Sequence, residues 1–326
     1  MSSIRLLYEP ILQRDEPAIR IACAAFAEKE GDEALFHAVS RFAALAFNPS
    51  QHGRHAFLAG VAAWSLRDSP DSFPEILVEC AIYAAEGRLP WSEPPVTDPP
   101  AVGADHPAGL GEIEEAIEAN DRNRGERWLA ANLERPDLGA RIFEVAARHL
   151  EDLGHPFIVA AASWKLSMLQ DRHPSYAALR PAVAELCMKR EGGEARGTTG
   201  AGDRREIALR LIDVFARSGG DPEPFHDLAL FASALEAEEE GCPSAIAERV
   251  IAAAGGGARP GGQSHELPEP GSLAAYKLAR DHAQRLKAEW IARVLERHWS
   301  GIDCSAMLAA ADYNLRSSNF DEWSFA

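Results

Sequence analysis

The segment RLIDVFAR, at residues 210–217, repeats the pattern of RIFEVAAR, at residues 141–148, with four of the eight letters identical. A more diverged version, ALFHAVSR, occupies residues 34–41. Each is followed by an almost entirely apolar stretch that has a histidine at or near its start, as in HAFLAGVAAWSL from residue 55 and HPFIVAAASWKL from residue 155. The apolar residues recur at helical spacing. Repetition on this scale predicts an all-α helical repeat architecture, built from three related multi-helix units and followed by a long C-terminal helix.

Proline- and glycine-rich stretches separate these predicted units. LPWSEPPVTDPPAVGADHPAG is a Pro-rich connection, and GGEARGTTGAG is a Gly-rich linker. The predicted division is unit 1 at residues 1–88, the connection at 89–109, unit 2 at 110–191, the linker at 192–202, unit 3 at 203–256, a loop at 257–271, and C-terminal helices with a tail at 272–326.

Within the units, the predicted helices include 113–134, 136–154, 155–171 and 174–191, with Pro181 kinking or splitting the last. The third helix of each unit is apolar nearly all round and is therefore expected to be the most buried. Trp64 and Trp164 occupy equivalent positions in the first two of these helices and are expected to fill the core.

The composition indicates an acidic, soluble globular protein. Hydrophobic residues make up 46% of the 326-residue chain and charged residues 25%, with a net charge of −17. This charge argues against a nucleic-acid partner and against an anionic membrane surface, since both require clustered Lys and Arg. Five widely spaced cysteines are expected to be reduced and packed. We expect a cytoplasmic protein, without a signal peptide or membrane helix, whose partner is a small molecule or another protein. Its oligomeric state is left open.

The repeated segments nominate the candidate site residues. Four residues before the closing arginine of each segment stands His37, Glu144 or Asp213. The histidines near the start of the next helix are His55, His155 and His226. Histidine, glutamate and aspartate are all metal ligands and proton-transfer groups. We therefore predict the three helix-start histidines as acid/base groups or ligands, with His37, Glu144, Asp213 and His52 (of QHGRH, residues 51–55) in support.

If a metal ion is bound, the expected ligands are His55, His155, His226, Glu144 and Asp213. A helix N-terminus lowers the pKa of a histidine, which favours the neutral imidazole that can bind a metal ion. Glu144 and Asp213 could orient the histidine of their own unit. The alternative is structural: Glu144 with Arg148 and Asp213 with Arg217 form ordinary i,i+4 pairs, each worth about 0.2–0.5 kcal/mol, and the histidines form local hydrogen bonds.

The segments GERWLAANLERPDLGARIFEVAARHLEDLG with HPFIVAAASWKL, and GGDPEPFHDLALFASALEAEEEGCPSAIAERVIAAA, resemble the helical repeats of questin oxidase-like proteins. The resemblance spans about residues 110–255 and implies an oxidoreductase that opens an aromatic or quinone-like ring with NADPH. It carries His155 and His226 over as functional positions, and the internal repeat adds His55. Seven residues after these histidines, where the family has a second histidine, stand Ala162 and Ser233.

Two classes of function therefore stay open. The first is an oxidoreductase whose pocket lies between the repeats and whose cofactor is NADPH or a bound metal ion. The second is a non-catalytic helical repeat scaffold that binds a protein or a small molecule. Any two of the three histidines within a few ångströms of a common cavity would favour the enzyme, and three separate positions on the surface would favour the scaffold.

Overall fold

A computed structural model describes residues 3–49, 51–68, 73–87, 99–101, 109–188, 202–218, 222–257 and 283–316. Every regular element in these ranges is helical. The α-helices are α1 (Ser3–Gln13), α2 (Glu16–Glu30), α3 (Asp32–Leu45), α4 (Gln51–Ala62), α5 (Phe73–Gly87), α6 (Leu110–Glu118), α7 (Arg122–Asn132), α8 (Leu138–Ala146), α9 (His155–Asp171), α10 (Tyr176–Leu186), α11 (Arg204–Arg217), α12 (Pro222–Glu239), α13 (Ser244–Gly257), α14 (Ala283–His298) and α15 (Ser305–Arg316). The prediction of an all-α fold is confirmed.

Helices α4, α9 and α12 form the centre of the molecule. They are the helices predicted to be the most buried, and their side chains are buried on nearly all sides over residues 53–62, 155–161 and 225–237. Helix α9 packs against α4, α10 and α12, and α14 lies across α4 and α12. Because each central helix is apolar around its circumference, it gains stability only when neighbours cover every face.

The predicted helix at 113–134 is two helices, and that prediction was wrong. Asn120 adopts a left-handed conformation with φ of 51°. The carboxylate of Asp121 then accepts a hydrogen bond from the backbone N–H of Arg124 at 3.0 Å and caps the start of α7. A capping side chain in the middle of an apolar pattern thus ends one helix and starts another.

The other predicted helices differ mainly in length. The predicted helix 136–154 ends at Ala146, while α9 has the predicted bounds. Pro181 lies inside a continuous α10. Of the predicted helix 272–299, residues 283–298 form α14, and the first part of the range lies outside the described residues. Most of the Pro-rich connection, the Gly-rich linker, the loop at 257–271 and the end of the tail also lie outside them.

Trp164 is only partly buried, so its predicted role as a core residue holds in part. Its indole packs against Phe143, with ring centroids 6.1 Å apart, and its Nε1 donates to the backbone oxygen of Glu240 at 3.2 Å. Trp64 lies in a 3₁₀ turn at Ala63–Leu66 and is likewise partly buried.

All five cysteines are buried and free, as predicted. No helix among the described residues is long and apolar enough to cross a membrane.

Candidate functional site

The structure brings the three predicted helix-start histidines together. His55 lies in the second turn of α4, His155 begins α9, and His226 lies in the second turn of α12. One ring nitrogen of each lies within 4.8 Å of the others. The ring centroids are 4.7 Å apart for His155 and His226, 5.9 Å for His55 and His155, and 6.3 Å for His55 and His226. Three helices thus point their N-terminal ends at one place.

The three rings are buried, with 5% of His55, 1% of His155 and 4% of His226 exposed. Burial disfavours the charged imidazolium and is the main cause that lowers the pKa of both His55 and His155. Lys287 is the next cause for His55, and Arg54 is the next cause for His155. The predicted direction of the shift is therefore confirmed for these two histidines, but burial and neighbouring cations produce it.

A strained turn sets the orientation of His155. Asp152, Leu153 and Gly154 all have positive φ, of 57°, 58° and 79°. This turn places the backbone oxygen of Asp152 2.7 Å from Nδ1 of His155. A carbonyl can only accept, so Nδ1 carries the proton and the lone pair is on Nε2. Nε2 is buried and has no hydrogen-bond partner among the described residues, and neither has Nε2 of His55.

Arg54 joins the helices that carry two of the histidines. Its buried guanidinium donates to both carboxylate oxygens of Glu185 in α10, at 2.8 and 3.1 Å, and to the Asp152 carboxylate at 2.9 Å. It also lies 3.4 Å from Nδ1 of His155. Because that nitrogen already donates to the Asp152 backbone oxygen, the contact with Arg54 is electrostatic. Arg54 therefore anchors α4 and α9 against α10 beside the histidines.

A small cavity adjoins the cluster. The centre of a water molecule can occupy about 30 Å³ of this cavity, which is room for one or two water molecules. The walls come from four helices and consist of Leu58, Val61, Ala62, His155, Ile158, Ala161, Ala162, Phe225, His226, Ala229, Ser233, Glu236, Lys287 and Trp290. A larger outer cleft of about 460 Å³ is lined by Trp64, Arg67, Lys165, Arg293 and Arg297 together with several acidic residues. Glu236 lines both spaces.

Two of the supporting carboxylates lie away from the cluster. Glu144 binds Arg148 at 2.8 Å and Arg249 at 3.2 Å, and half-exposed Asp213 pairs with Arg217. The predicted roles of Glu144 and Asp213 as metal ligands and orienting groups are therefore wrong, because their helices turn these side chains towards arginines. The i,i+4 alternative describes both. The orienting role belongs to Asp152, which lies three residues before His155.

Of the two supporting histidines, His37 lies outside the cluster. His37 packs against Phe36 and Trp64 and lies 3.8 Å from Glu33. The side chain of His52 lies outside the described residues, although its backbone belongs to α4. Three residues beside the cluster were not predicted: Arg54, Asp152 and Lys287. The sequence could have indicated that Lys287 is buried, because helical spacing places it on the same face of α14 as the apolar residues Trp290, Ile291 and Val294.

Comparison with family models, curated proteins and solved structures finds no match to this chain. The function must therefore be inferred from the site itself.

Proposed function

We propose that this chain is a metal-dependent oxidoreductase that binds a divalent transition-metal ion through His55, His155 and His226. The observation that carries the proposal is the convergence of the three buried histidines from the starts of three helices. Helical metal proteins draw their ligands from facing helices in this way. Three imidazoles suit zinc, iron, copper, cobalt or nickel, and a set of three leaves coordination positions free for a reactant.

The geometry of the residues fits such an ion. Imidazole nitrogens around a tetrahedral ion stand about 3.4 Å apart, given metal–nitrogen distances of about 2.1 Å. The present limit of 4.8 Å is longer than that value, so binding an ion would draw the three rings closer together. His55 and His155 are favoured in the neutral form that binds metal, and Nε2 of His155 is the nitrogen left free to do so. Arg54 with Glu185 and Asp152 carries a net charge of −1 (+1 −1 −1), which partly offsets the charge of an ion.

The size of the cavity limits which reactants can enter it. Its volume of about 30 Å³ admits a molecule such as dioxygen and excludes a ring. An aromatic or quinone-like substrate, as the resemblance to questin oxidase-like proteins implies, would bind where the cavity meets the outer cleft, at Glu236. NADPH is the reductant that the same resemblance implies, and it would have to act from outside this cavity.

The positions of the residues that line the cavity also favour the interpretation that the chain contains three related helical units. The residues three and seven positions after each histidine line it: Leu58 and Ala62, Ile158 and Ala162, Ala229 and Ser233. Equivalent positions of the three predicted repeats thus perform equivalent structural roles. We infer that the units arose as copies whose third helices have kept one common centre.

The test is elemental analysis of the purified protein, followed by NADPH-dependent oxygen uptake with a panel of quinones. We expect close to one transition-metal ion per chain in the wild type and loss of most of it in His55→Ala, His155→Ala and His226→Ala. His149→Ala is the control, because His149 is a partly buried histidine that pairs with Glu114 and Glu151. Histidine variants that keep both metal and oxygen uptake at the wild-type level would refute the proposal and favour a non-catalytic scaffold.

A further inference from the structure

Lys287 is a buried amine at the wall of the cavity. Only 4% of the residue is exposed, and it lies on α14, which packs across α4 and α12. No hydrogen bond or ion pair joins its amino group to any described residue. Its amino group instead faces the Phe225 ring, 5.5 Å from Nζ to the centroid. An ammonium group has three donors, so the ring contact leaves hydrogen-bonding capacity of Lys287 unused.

The one acidic group in the cavity wall among the described residues already has partners. The carboxylate of Glu236 accepts from Nζ of Lys165 at 2.7 Å, from Nε1 of Trp290 at 3.2 Å and from Arg297 at 3.2 Å. Glu236 is therefore neutralised on the side of the outer cleft. The contrast between the two lysines is informative: Lys165 is buried with a carboxylate partner, and Lys287 is buried without one.

A buried charged amine without a partner costs several kcal/mol, and a protein meets this cost by deprotonating the amine or by binding an anion. Burial lowers the pKa of Lys287 to about 7, so both forms are accessible near neutral pH. A metal ion on the neighbouring histidines would add a second positive charge to the same small space. That space is otherwise mainly apolar, which strengthens any charge–charge attraction inside it.

We propose that the cavity is a binding site for a small anion, which Lys287 and the three-histidine metal site hold between them. This inference rests on the proposed metal site, because the metal ion supplies the second positive charge. The cavity limits the anion to about three heavy atoms, such as azide or formate. Formate represents the carboxylate end of a reactant, whereas azide has no carboxylate, and comparing the two distinguishes a general anion site from one that prefers carboxylates.

The experiment uses cobalt(II)-loaded protein, whose visible absorption changes when an anion binds near the ion. Sodium azide and sodium formate are titrated into the wild type, Lys287→Met and the control Lys29→Met. Loss of a charge-assisted hydrogen bond predicts about 10- to 100-fold weaker azide binding for Lys287→Met. Lys29→Met removes the same charge from an exposed lysine of α2, outside the cavity and the outer cleft, and should bind azide nearly as the wild type does. Far-ultraviolet circular dichroism checks that both variants are folded.

The affinity should also depend on pH. Azide binding to the wild type is expected to weaken as the pH rises, because Lys287 loses its proton, and the slope should be smaller in Lys287→Met. Besides Lys287, the buried charged or titratable side chains on the surrounding helices are Arg54, His55, His155, Lys165, His226, Asp227, Glu236 and Arg285. The wild-type slope is therefore compared with that of Lys287→Met under identical conditions.

Equal azide affinity in the cobalt-loaded wild type and Lys287→Met would overturn the anion site while leaving the metal site in place. Failure of the wild type to bind cobalt would instead refute the metal proposal. In that case, azide-induced thermal shifts of the metal-free proteins at pH 6 test whether the cavity binds an anion through Lys287 alone. A shift in the wild type that is lost in Lys287→Met would support the anion site, and equal shifts would overturn it.

Discussion

Gly154, in the turn directly before His155, is the position at which the conformation of that turn can be tested by substitution. Its φ is +79°, a left-handed conformation that costs an L-residue about 1–2 kcal/mol. A Cβ at this position would lie 2.8 Å from Cδ2 and 3.0 Å from Cδ1 of Leu230, which is fully buried in α12. Crowding of this kind typically costs about 1–3 kcal/mol. Together, the two contributions predict that Gly154→Ala lowers the free energy of unfolding by about 2–5 kcal/mol.

Gly241→Ala is the matched control. Gly241 also has a positive φ, of +97°, but a Cβ there meets nothing within 4 Å. It should therefore cost only the conformational part, about 1–2 kcal/mol. Both variants are compared with the wild type by urea denaturation of the metal-free protein at pH 7, and by cobalt affinity. Gly154 directly precedes His155, and the methyl group of an alanine there would press on Leu230 in α12, the helix of His226. Of the two variants, only Gly154→Ala should therefore also weaken cobalt binding.

Equal losses of stability in Gly154→Ala and Gly241→Ala would show that Leu230 moves aside without cost. Unchanged cobalt affinity in Gly154→Ala would show that the strained turn does not position His155. Either result would refute the reasoning for that part of the site.

Other substitutions test the surrounding packing. Lys165→Met removes the closest cation from the buried Glu236 carboxylate, which keeps Arg297 and Trp290, and should cost about 1–3 kcal/mol in urea denaturation; a loss below about 0.5 kcal/mol would contradict a stabilising buried ion pair. The pKa of Lys287 is lowered from 10.5 to about 7, so the unfolded chain binds more protons between these values, and the stability of the metal-free wild type should rise with pH across that window. Lys287→Met should remove this rise and be the more stable protein at pH 7, as pH-dependent denaturation will show. Trp164→Ala should cost about 3 kcal/mol, at the lower end for a large aromatic residue, because the ring is partly exposed; a full loss of about 5 kcal/mol would mean that solvent does not reach it.

The sequence predicted the fold class and the three histidines for one physical reason. Apolar residues at helical spacing identify the central helices, and the repeated segments align the histidines at the helix starts. A shared position relative to a central helix becomes a shared position in space when these helices pack together. The sequence pattern alone could therefore nominate His55, His155 and His226 as a group.

The groups around the histidines could not be predicted in the same way. Arg54 and Glu185 meet across 131 residues of sequence, and Lys287 reaches the cavity from a helix outside the repeats. Glu144 occupies the position in the repeated segment that predicted a metal ligand, but the direction in which its side chain points depends on how α8 packs. The orienting oxygen of Asp152 belongs to the backbone, and a sequence pattern carries no direct sign of it.

The arrangement of the cluster has a consequence for the order of events during synthesis. The three histidines enter the growing chain between residues 55 and 226, yet the wall that holds Lys287 is made some sixty residues later, with α14. Since a chain emerges from its N-terminus onwards, the histidines are available before the cavity can close around them. An ion bound at the proposed site would thus meet its ligands while one side is still open, and α14 then covers that side. In the folded protein an approach from the outer cleft remains at Glu236, which lines both spaces.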